Sequence, residues 1–339
     1  MKYAIYGAGS LGLVASAILK KNNEEFDLVD RNIKSVNAIK ENGIKIVGTL
    51  NLVQKVNVIL DTNCNEKYDI IFMFTKQIDN LNTINKLKGL LKEDGVICTM
   101  QNGLPELDLA SVIGEKRAYG AAVGFGATRL DYGVSELTSE NTKESMTFSV
   151  GNLSGYHDEH FEEIKRILSI IGNVTAEENF IGARYVKLLI NSAFSGMSTV
   201  CGATFGEVSK NKKSRRIIQS IIKECIEVAK ASKIKIEPIQ GKDVVKLLDY
   251  NGKLKKWLSF MIIPLAIKKH ALLKASMLQD IQKGLPCEID SINKVVSDMG
   301  KKCNVATPYN DKVVEIVKKM EAKQLKPDFN NVLLFSDIK

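Results

Sequence analysis

One stretch near the start of the chain limits what the rest can fold into. Lys2-Tyr3-Ala4-Ile5-Tyr6, a short apolar run of β-favouring residues, leads straight into Gly7-Ala8-Gly9-Ser10-Leu11-Gly12. Leu13, Val14, Ala17, Ile18 and Leu19 then recur roughly at helical spacing, and Phe26-Asp27-Leu28-Val29 reads as a second strand ending in Asp30-Arg31. Strand, glycine turn, helix and strand in that order are the context in which G-x-G-x-x-G marks a dinucleotide site. Gly7 permits the sharp turn, Gly9 lets a pyrophosphate approach the backbone, and Gly12 lets the helix pack closely on the strand. The N–H groups of the helix start, from Ser10 and Leu11 on, lie at the positive end of the helix dipole and would hold the phosphates.

The end of the second strand leaves the cofactor open. Asp30 would accept from the ribose hydroxyls of NAD, whereas Arg31 beside it would pair with the 2′-phosphate of NADP. Both also read as solvated turn charges.

Beyond this unit, strands and helices alternate. Residues 32–42 read as a helix, and Gly43-Ile44-Lys45-Ile46-Val47-Gly48 opens a run of short strands to about Leu60. Tyr68-Asp69-Ile70-Ile71-Phe72-Met73-Phe74 is apolar almost throughout, as a strand covered on both faces should be, and it stops at Thr75-Lys76-Gln77. A helix to about Leu91, a buried strand Val96-Ile97-Cys98-Thr99-Met100, a stop at Gln101-Asn102-Gly103 and a helix to Ile113 follow. This alternation specifies a doubly wound, mostly parallel sheet, whose ligands sit beyond the carboxyl ends of the strands. The glycine turn, Lys76 and Asn102 are therefore expected on one crevice. Residues 118–150 read as strands completing that sheet, and Gly151-Asn152-Leu153-Ser154-Gly155 as a linker. From about Asp158 the period turns helical, through Phe161, Ile164, Ile167, Leu168 and Ile171 and again through Ile217, Ile218, Ile221, Ile222, Cys225, Ile226 and Ala229. The expectation is an α/β chain: an N-terminal Rossmann-type domain over 1–155 and an all-helical domain over 156–339.

At 339 residues the chain is long enough for two cores. Its formal charge of +9 suits an anionic partner, but the lysines are scattered. The clearest cluster, Lys210-Asn211-Lys212-Lys213-Ser214-Arg215-Arg216, has no DNA-binding motif beside it and reads as a solvated loop and helix start, so no nucleic-acid partner is expected. A positive field would also draw a phosphorylated cofactor and a carboxylate substrate. The six cysteines, Cys64, Cys98, Cys201, Cys225, Cys287 and Cys303, form no C-x-x-C pair and no ligand spacing with the three histidines. Reduced cytosolic thiols and no metal site are the expectation. The first strand leaves no room for a signal peptide, and the most apolar stretch, Met261-Ile262-Ile263-Pro264-Leu265-Ala266-Ile267, is too short to span a bilayer. A cytoplasmic protein without a membrane partner is expected.

In the helical half, Lys187, Asn191 and Ser195 are spaced four apart, which on an α-helix lines them up on one face among apolar neighbours. A lysine desolvated there has its charged form disfavoured and can give up a proton near neutral pH; a lysine snorkelling past apolar surface, or paired with an acid, has the same spacing. Further on come Ser276-Met277-Leu278-Gln279-Asp280, then Glu288-Ile289-Asp290 and Asn293, with Gly284 and Pro286 between. Glu288 is expected to begin a new helix with Asp290 in its first turn, where an acid compensates the dipole.

Together and in order, the glycine turn, Thr75-Lys76-Gln77, Gln101-Asn102-Gly103, the lysine-to-asparagine helix, Ser276 to Asp280 and Cys287-Glu288-Ile289-Asp290 resemble the ketopantoate reductases, or 2-dehydropantoate 2-reductases. The resemblance runs to Ala306-Thr307-Pro308-Tyr309-Asn310, before the last long helix. It implies NADPH-dependent reduction of 2-dehydropantoate to pantoate, a step of pantothenate and coenzyme A biosynthesis, by a Rossmann domain and a helical domain. Lys187 would be the catalytic lysine that supplies the proton, and Glu288 the acid that holds the substrate hydroxyl and helps position that lysine. Asn191 and Ser276 would bind substrate, Asn102 would stand where cofactor and substrate meet, Lys76 on the cofactor side, and Arg31 at the 2′-phosphate, which tips the cofactor towards NADP(H). Dimers occur in that family, so a homodimer is compatible. Two positions depart from the pattern: Ser195, counted among the substrate-binding residues, replaces a second asparagine, and Lys294 replaces the usual glycine after Asn293. They leave open a relative that reduces another 2-oxo acid. The basic run near Lys212 is the one feature that would fit a nucleotide sensor without turnover.

Overall fold

Eight strands make the sheet on which the first part of the computed structural model is built, in the order β12-β11-β8-β7-β6-β1-β2-β5. They are β1 (Tyr3–Tyr6), β2 (Asp27–Asp30), β5 (Asn57–Leu60), β6 (Tyr68–Met73), β7 (Leu91–Thr99), β8 (Ala118–Val123), β11 (Thr147–Asn152) and β12 (Asn173–Ala176). All neighbouring pairs are parallel except β8 with β11. The connecting helices are α1 (Ser10–Lys21), α2 (Ile33–Asn42), α3 (Asn80–Lys88), α4 (Pro105–Ile113) and α5 (Glu159–Ile171). The structure describes residues 1–238 and 243–338, and the chain divides into two units, Met1–Phe180 and Ile181–Lys339.

The expectation that residues 118–150 would all complete this sheet is corrected. A second sheet, ordered β4-β3-β10-β9, collects β3 (Ile44–Gly48), β4 (Leu52–Gln54), β9 (Ala127–Asp131) and β10 (Val134–Leu137). The physical reason lies in α1, where every residue from Gly12 to Leu19 is buried. A helix apolar on nearly every side must be covered on nearly every side. The main sheet covers one flank, and Ile44, Ile46 and Leu137 of the second sheet join the same core. Ser135 of β10 also donates from its hydroxyl to the Ser10 carbonyl, 3.0 Å away, in the first turn of α1.

The helical stretch expected from Asp158 is interrupted as well. Helix α5 forms, capped by the Asp158 side chain, and buries Phe161, Ile164, Ile167, Leu168 and Ile171. The chain then adds β12 to the edge of the sheet, parallel to β11, so the first unit runs on to Phe180.

The second unit is helical among its described residues: α6 (Phe180–Ile190), a π-turn (Asn191–Ser195), α7 (Gly196–Cys201), α8 (Phe205–Lys210), α9 (Lys212–Ala231), α10 (Val244–Leu248), α11 (Lys253–Ala266), α12 (Ser276–Gln282), α13 (Asn293–Lys302) and α14 (Pro308–Glu321). Helix α9 buries the isoleucine face read from the sequence, and Asn211 caps it, so the basic run around Lys212 is a helix start. The apolar stretch at 261–267 lies largely in α11, whose Leu254, Trp257, Leu258, Met261 and Leu265 are exposed. Among the described residues no helix is long and apolar enough to cross a membrane, and no cluster of His, Cys, Asp and Glu could hold a metal.

Candidate active site

In the first unit β1 lies between β2 and β6, so successive connections depart to opposite sides at its carboxyl end. That switch point is where parallel sheets take up ligands, and the glycine turn occupies it. Gly7 has φ +112°, and a Cβ there would press on Thr75; a Cβ on Gly12 would lie 2.0 Å from the Gly7 carbonyl oxygen. Packing therefore demands both glycines. Gly9 is different: its backbone is extended, and the nearest atom to an added Cβ is the Phe74 oxygen at 3.9 Å. The fold leaves open the space that a pyrophosphate would need.

Helix α1 begins at Gly9 with no capping side chain and no acid in its first turn, whereas Asn32 and Asp158 cap α2 and α5. Its partial positive charge faces outward beside Ser10 and Leu11, as an anion site requires. Asp30 is nearly closed to solvent; its oxygens accept from Ala8 N–H at 2.5 Å and Asn32 N–H at 2.7 Å, which pins the glycine turn to the end of β2. Arg31, next along, is exposed.

Lys76 and Asn102 follow β6 and β7 at the same edge. An amide network holds their loops: the Gln101 side chain donates to Asn80 at 3.0 Å, Asn80 donates to Asp108 at 2.9 Å, and the Gln77 side chain donates to the Asn102 carbonyl. Lys76 stays exposed and Asn102 half-buried. The first unit thus brings Gly7, Gly9, Ser10, Leu11, Gly12, Arg31, Lys76 and Asn102 to one edge of the sheet. Sequence reading missed Asp61, just past β5, which accepts from Tyr6 Oη at 3.1 Å and Lys86 Nζ at 2.6 Å. Burial, with the Asp61 charge, holds the Tyr6 hydroxyl above its ordinary pKa.

In the second unit Lys187 is half-buried on α6 and Asn191 half-buried at the start of the π-turn. The uniform α-helical face expected through Lys187, Asn191 and Ser195 is corrected: the wider turn shifts the register after Asn191, and Ser195 is buried. Ser276 is the exposed first residue of α12, which packs against the π-turn and α7; Ala275 before it donates from N–H to Ser198 Oγ at 3.2 Å. Glu288 is buried. Instead of starting a full helix it precedes a 3-10 turn, Ile289–Ser291. Asp290 is exposed and paired with Lys318 at 2.5 Å. Burial pushes the Cys201 and Cys287 thiols up to about 12, so neither is a ready nucleophile near neutrality.

A glycine turn at the switch point of a parallel sheet, joined in one chain to a helical unit, is the build of a dinucleotide-binding protein, the class to which the nicotinamide-dependent oxidoreductases belong. Sequence comparison narrows the class. The chain belongs to the ketopantoate reductase PanE/ApbA family, whose N-terminal profile matches residues 3–151 and whose C-terminal profile matches residues 179–321. A 2-dehydropantoate 2-reductase of Pyrococcus horikoshii is 26% identical over 324 residues, covering 95% of this chain and 98% of the relative. Among solved structures, D-mandelate dehydrogenase with NADH and anilino(oxo)acetate superposes with a TM-score of 0.80 at 25% identity, covering 95% of this chain and 99% of that one. A PanE/ApbA family ketopantoate reductase from Ralstonia eutropha gives 0.79 at 20% identity, with 96% and 99% covered. The family acts as reductases on 2-oxo acids.

Proposed function

We propose that the protein reduces 2-dehydropantoate to pantoate with NADPH. The observation that carries this reading is the match of both family profiles, one on each unit, with Lys187, Asn191, Ser276 and Glu288 all inside the second. NADPH held by the glycine turn, Ser10, Leu11, Arg31 and Lys76 would supply the hydride that the carbonyl carbon accepts. Lys187 Nζ gives its proton to the ketone oxygen as negative charge develops there, and so stabilises the alkoxide-like transition state. Glu288 orients the substrate hydroxyl and the lysine without transferring a proton. Asn191, Ser195 and Ser276 hold the substrate, and Asn102 borders both ligands. Holding the two reactants in register is worth about 7–11 kcal/mol of barrier in well-oriented systems.

For the cofactor, the open space at Gly9 and the uncapped start of α1 suit a pyrophosphate. Asp30 is engaged by two main-chain N–H groups while Arg31 is exposed beside it, which favours a 2′-phosphate on Arg31, with Lys76 adding charge. All six cysteines are free thiols, the state that a reducing, cytoplasmic setting would maintain.

A second reading, reduction of another 2-oxo acid, is favoured by Ser195 and by the likeness to D-mandelate dehydrogenase. Steady-state assays with NADPH and NADH against 2-dehydropantoate, an aryl 2-oxo acid and aliphatic 2-oxo acids separate the two. The highest kcat/KM for 2-dehydropantoate with NADPH is expected; a clear preference for another oxo acid establishes the second reading.

A further inference from the structure

The helical rod that carries Lys187 and Asn191 departs from α geometry at Asn191–Ser195. A π-turn is rare, occurs mostly as a single turn inside an α-helix, and is frequent at functional sites. Here a set of side chains remote in sequence grips it. Asn293, which opens α13, donates from Nδ2 to the Ser192 carbonyl inside the turn at 3.0 Å and to Asn310 Oδ1 at 3.0 Å. Asn310, in the first turn of α14, donates from Nδ2 to Glu224 Oε2 at 2.7 Å. The Glu224 carboxylate, on α9, also accepts from the N–H of Tyr309 at 2.8 Å and of Asn310 at 3.0 Å, and so caps α14 from another helix. Asn293 and Asn310 are fully closed to water and Glu224 nearly so.

The direction of this series is fixed. Burial pushes the Glu224 carboxyl up to about 7, but each of its oxygens already accepts a main-chain N–H, from Tyr309 and from Asn310, so Asn310 turns its NH2 to Glu224 and its oxygen to Asn293. Asn293 must then turn its own NH2 to both Asn310 and Ser192; a flipped Asn293 would set oxygen against oxygen. Gly196, directly after the π-turn, leaves the room: a Cβ there would lie 3.0 Å from Asn293 Oδ1 and 3.0 Å from Val313.

We propose that Asn293, oriented by Asn310 and Glu224, is a positioning residue: by holding the Ser192 carbonyl it maintains the π-turn and so sets where Asn191 and Ser195 stand. The proposal rests on the substrate-binding role given to those two residues above.

The test compares Asn293→Ala, Asn310→Ala, the double variant, Glu224→Ala and Glu224→Gln with Ser297→Ala, a buried control elsewhere on α13. Amide hydrogen exchange is followed in peptides covering 186–200, and kinetics with NADPH and the oxo acid that the wild type reduces. Asn293→Ala should speed exchange in those peptides, lower kcat/KM by about 10²-fold with a raised KM for the oxo acid, and leave NADPH affinity unchanged. The double variant should lose no more than Asn293→Ala, since both substitutions break one series. Glu224→Gln, which keeps an oxygen towards Asn310, should lose less than Glu224→Ala, and this pair carries the test if Asn293→Ala does not fold. Ser297→Ala should stay within about twofold of wild type. Unchanged exchange over 186–200, kinetics of folded Asn293→Ala within about twofold of wild type, or losses that multiply in the double variant overturn the proposal. Should the wild type reduce no 2-oxo acid, the functional reading fails on its own, and the exchange data still decide whether Asn293 holds the turn.

Discussion

Two alanine substitutions in the glycine turn separate what the fold needs from what the cofactor needs. In Gly12→Ala the new Cβ would lie 2.0 Å from the Gly7 carbonyl oxygen and 3.3 Å from Phe74 Cβ. Main chain has to move, and overpacking of this kind costs about 1–3 kcal/mol. For a unit of this size that is a fall of about 2–12 °C in Tm. In Gly9→Ala the Cβ meets nothing closer than 3.9 Å, and the backbone, at φ −79° and ψ −173°, already suits an L residue. A gain of about 0.4–1 kcal/mol from the stiffer unfolded chain is offset by the poorer helix cap, so stability should change by less than about 1 kcal/mol. The same methyl stands where the pyrophosphate must approach. Each charged hydrogen bond lost there is worth about 1.5–3 kcal/mol, so NADPH should bind roughly 10- to 10²-fold more weakly. Thermal melts of the ligand-free variants, followed by calorimetric titration with NADPH, read both effects. The reasoning is refuted if Gly9→Ala binds NADPH as tightly as wild type, or if it melts as low as Gly12→Ala.

Three further outcomes are expected. Lys187→Ala should lower kcat by about 10²–10⁴-fold, the usual worth of a positioned proton donor, with NADPH affinity unchanged by calorimetry; retained turnover removes the lysine from the mechanism. Arg31→Ala should erase most of the preference for NADPH over NADH in direct binding, and an unaltered ratio assigns the 2′-phosphate elsewhere. Arg166→Met should cost about 0.5–1 kcal/mol in urea unfolding at neutral pH, because Arg166 grips both oxygens of Glu24, at 2.6 and 3.0 Å, while Tyr3 Oη donates to the same carboxylate. Arg166 first, then the Tyr3 hydroxyl, holds the Glu24 carboxyl below its ordinary pKa against burial. Its contribution is therefore full above the unfolded carboxyl range and lost as pH falls below it, so wild type and variant should converge in acid. A gap that persists there contradicts the assignment.

What the sequence showed well is what depends on neighbours in the chain. The glycine turn, the apolar run at Tyr68–Met73 and the polar stops that carry Lys76 and Asn102 are local signals, and the structure has them at one sheet edge. The second sheet was illegible because its strands are short and its central pair, β3 with β10, joins residues far apart. The π-turn was hidden because a spacing of four between Asn191 and Ser195 looks the same in either helix type until Asn293 and Ser192 are seen to meet. Helix α11 shows a different limit: the sequence marks 261–267 as its most apolar stretch, but not that Leu254, Trp257, Leu258, Met261 and Leu265 are exposed.

The cover over the back of α1 has a consequence for how the protein is made. The N-terminal βαβ unit leaves the ribosome early, but Leu137 and the other β10 residues that seal its helix are synthesised only after residue 126. Until then a helix buried along eight successive residues in the finished protein has a bare flank. A nascent or truncated chain ending before β9 should therefore be sticky and a poor nucleotide binder, and chaperone dependence should drop once the segment through Leu137 has been translated.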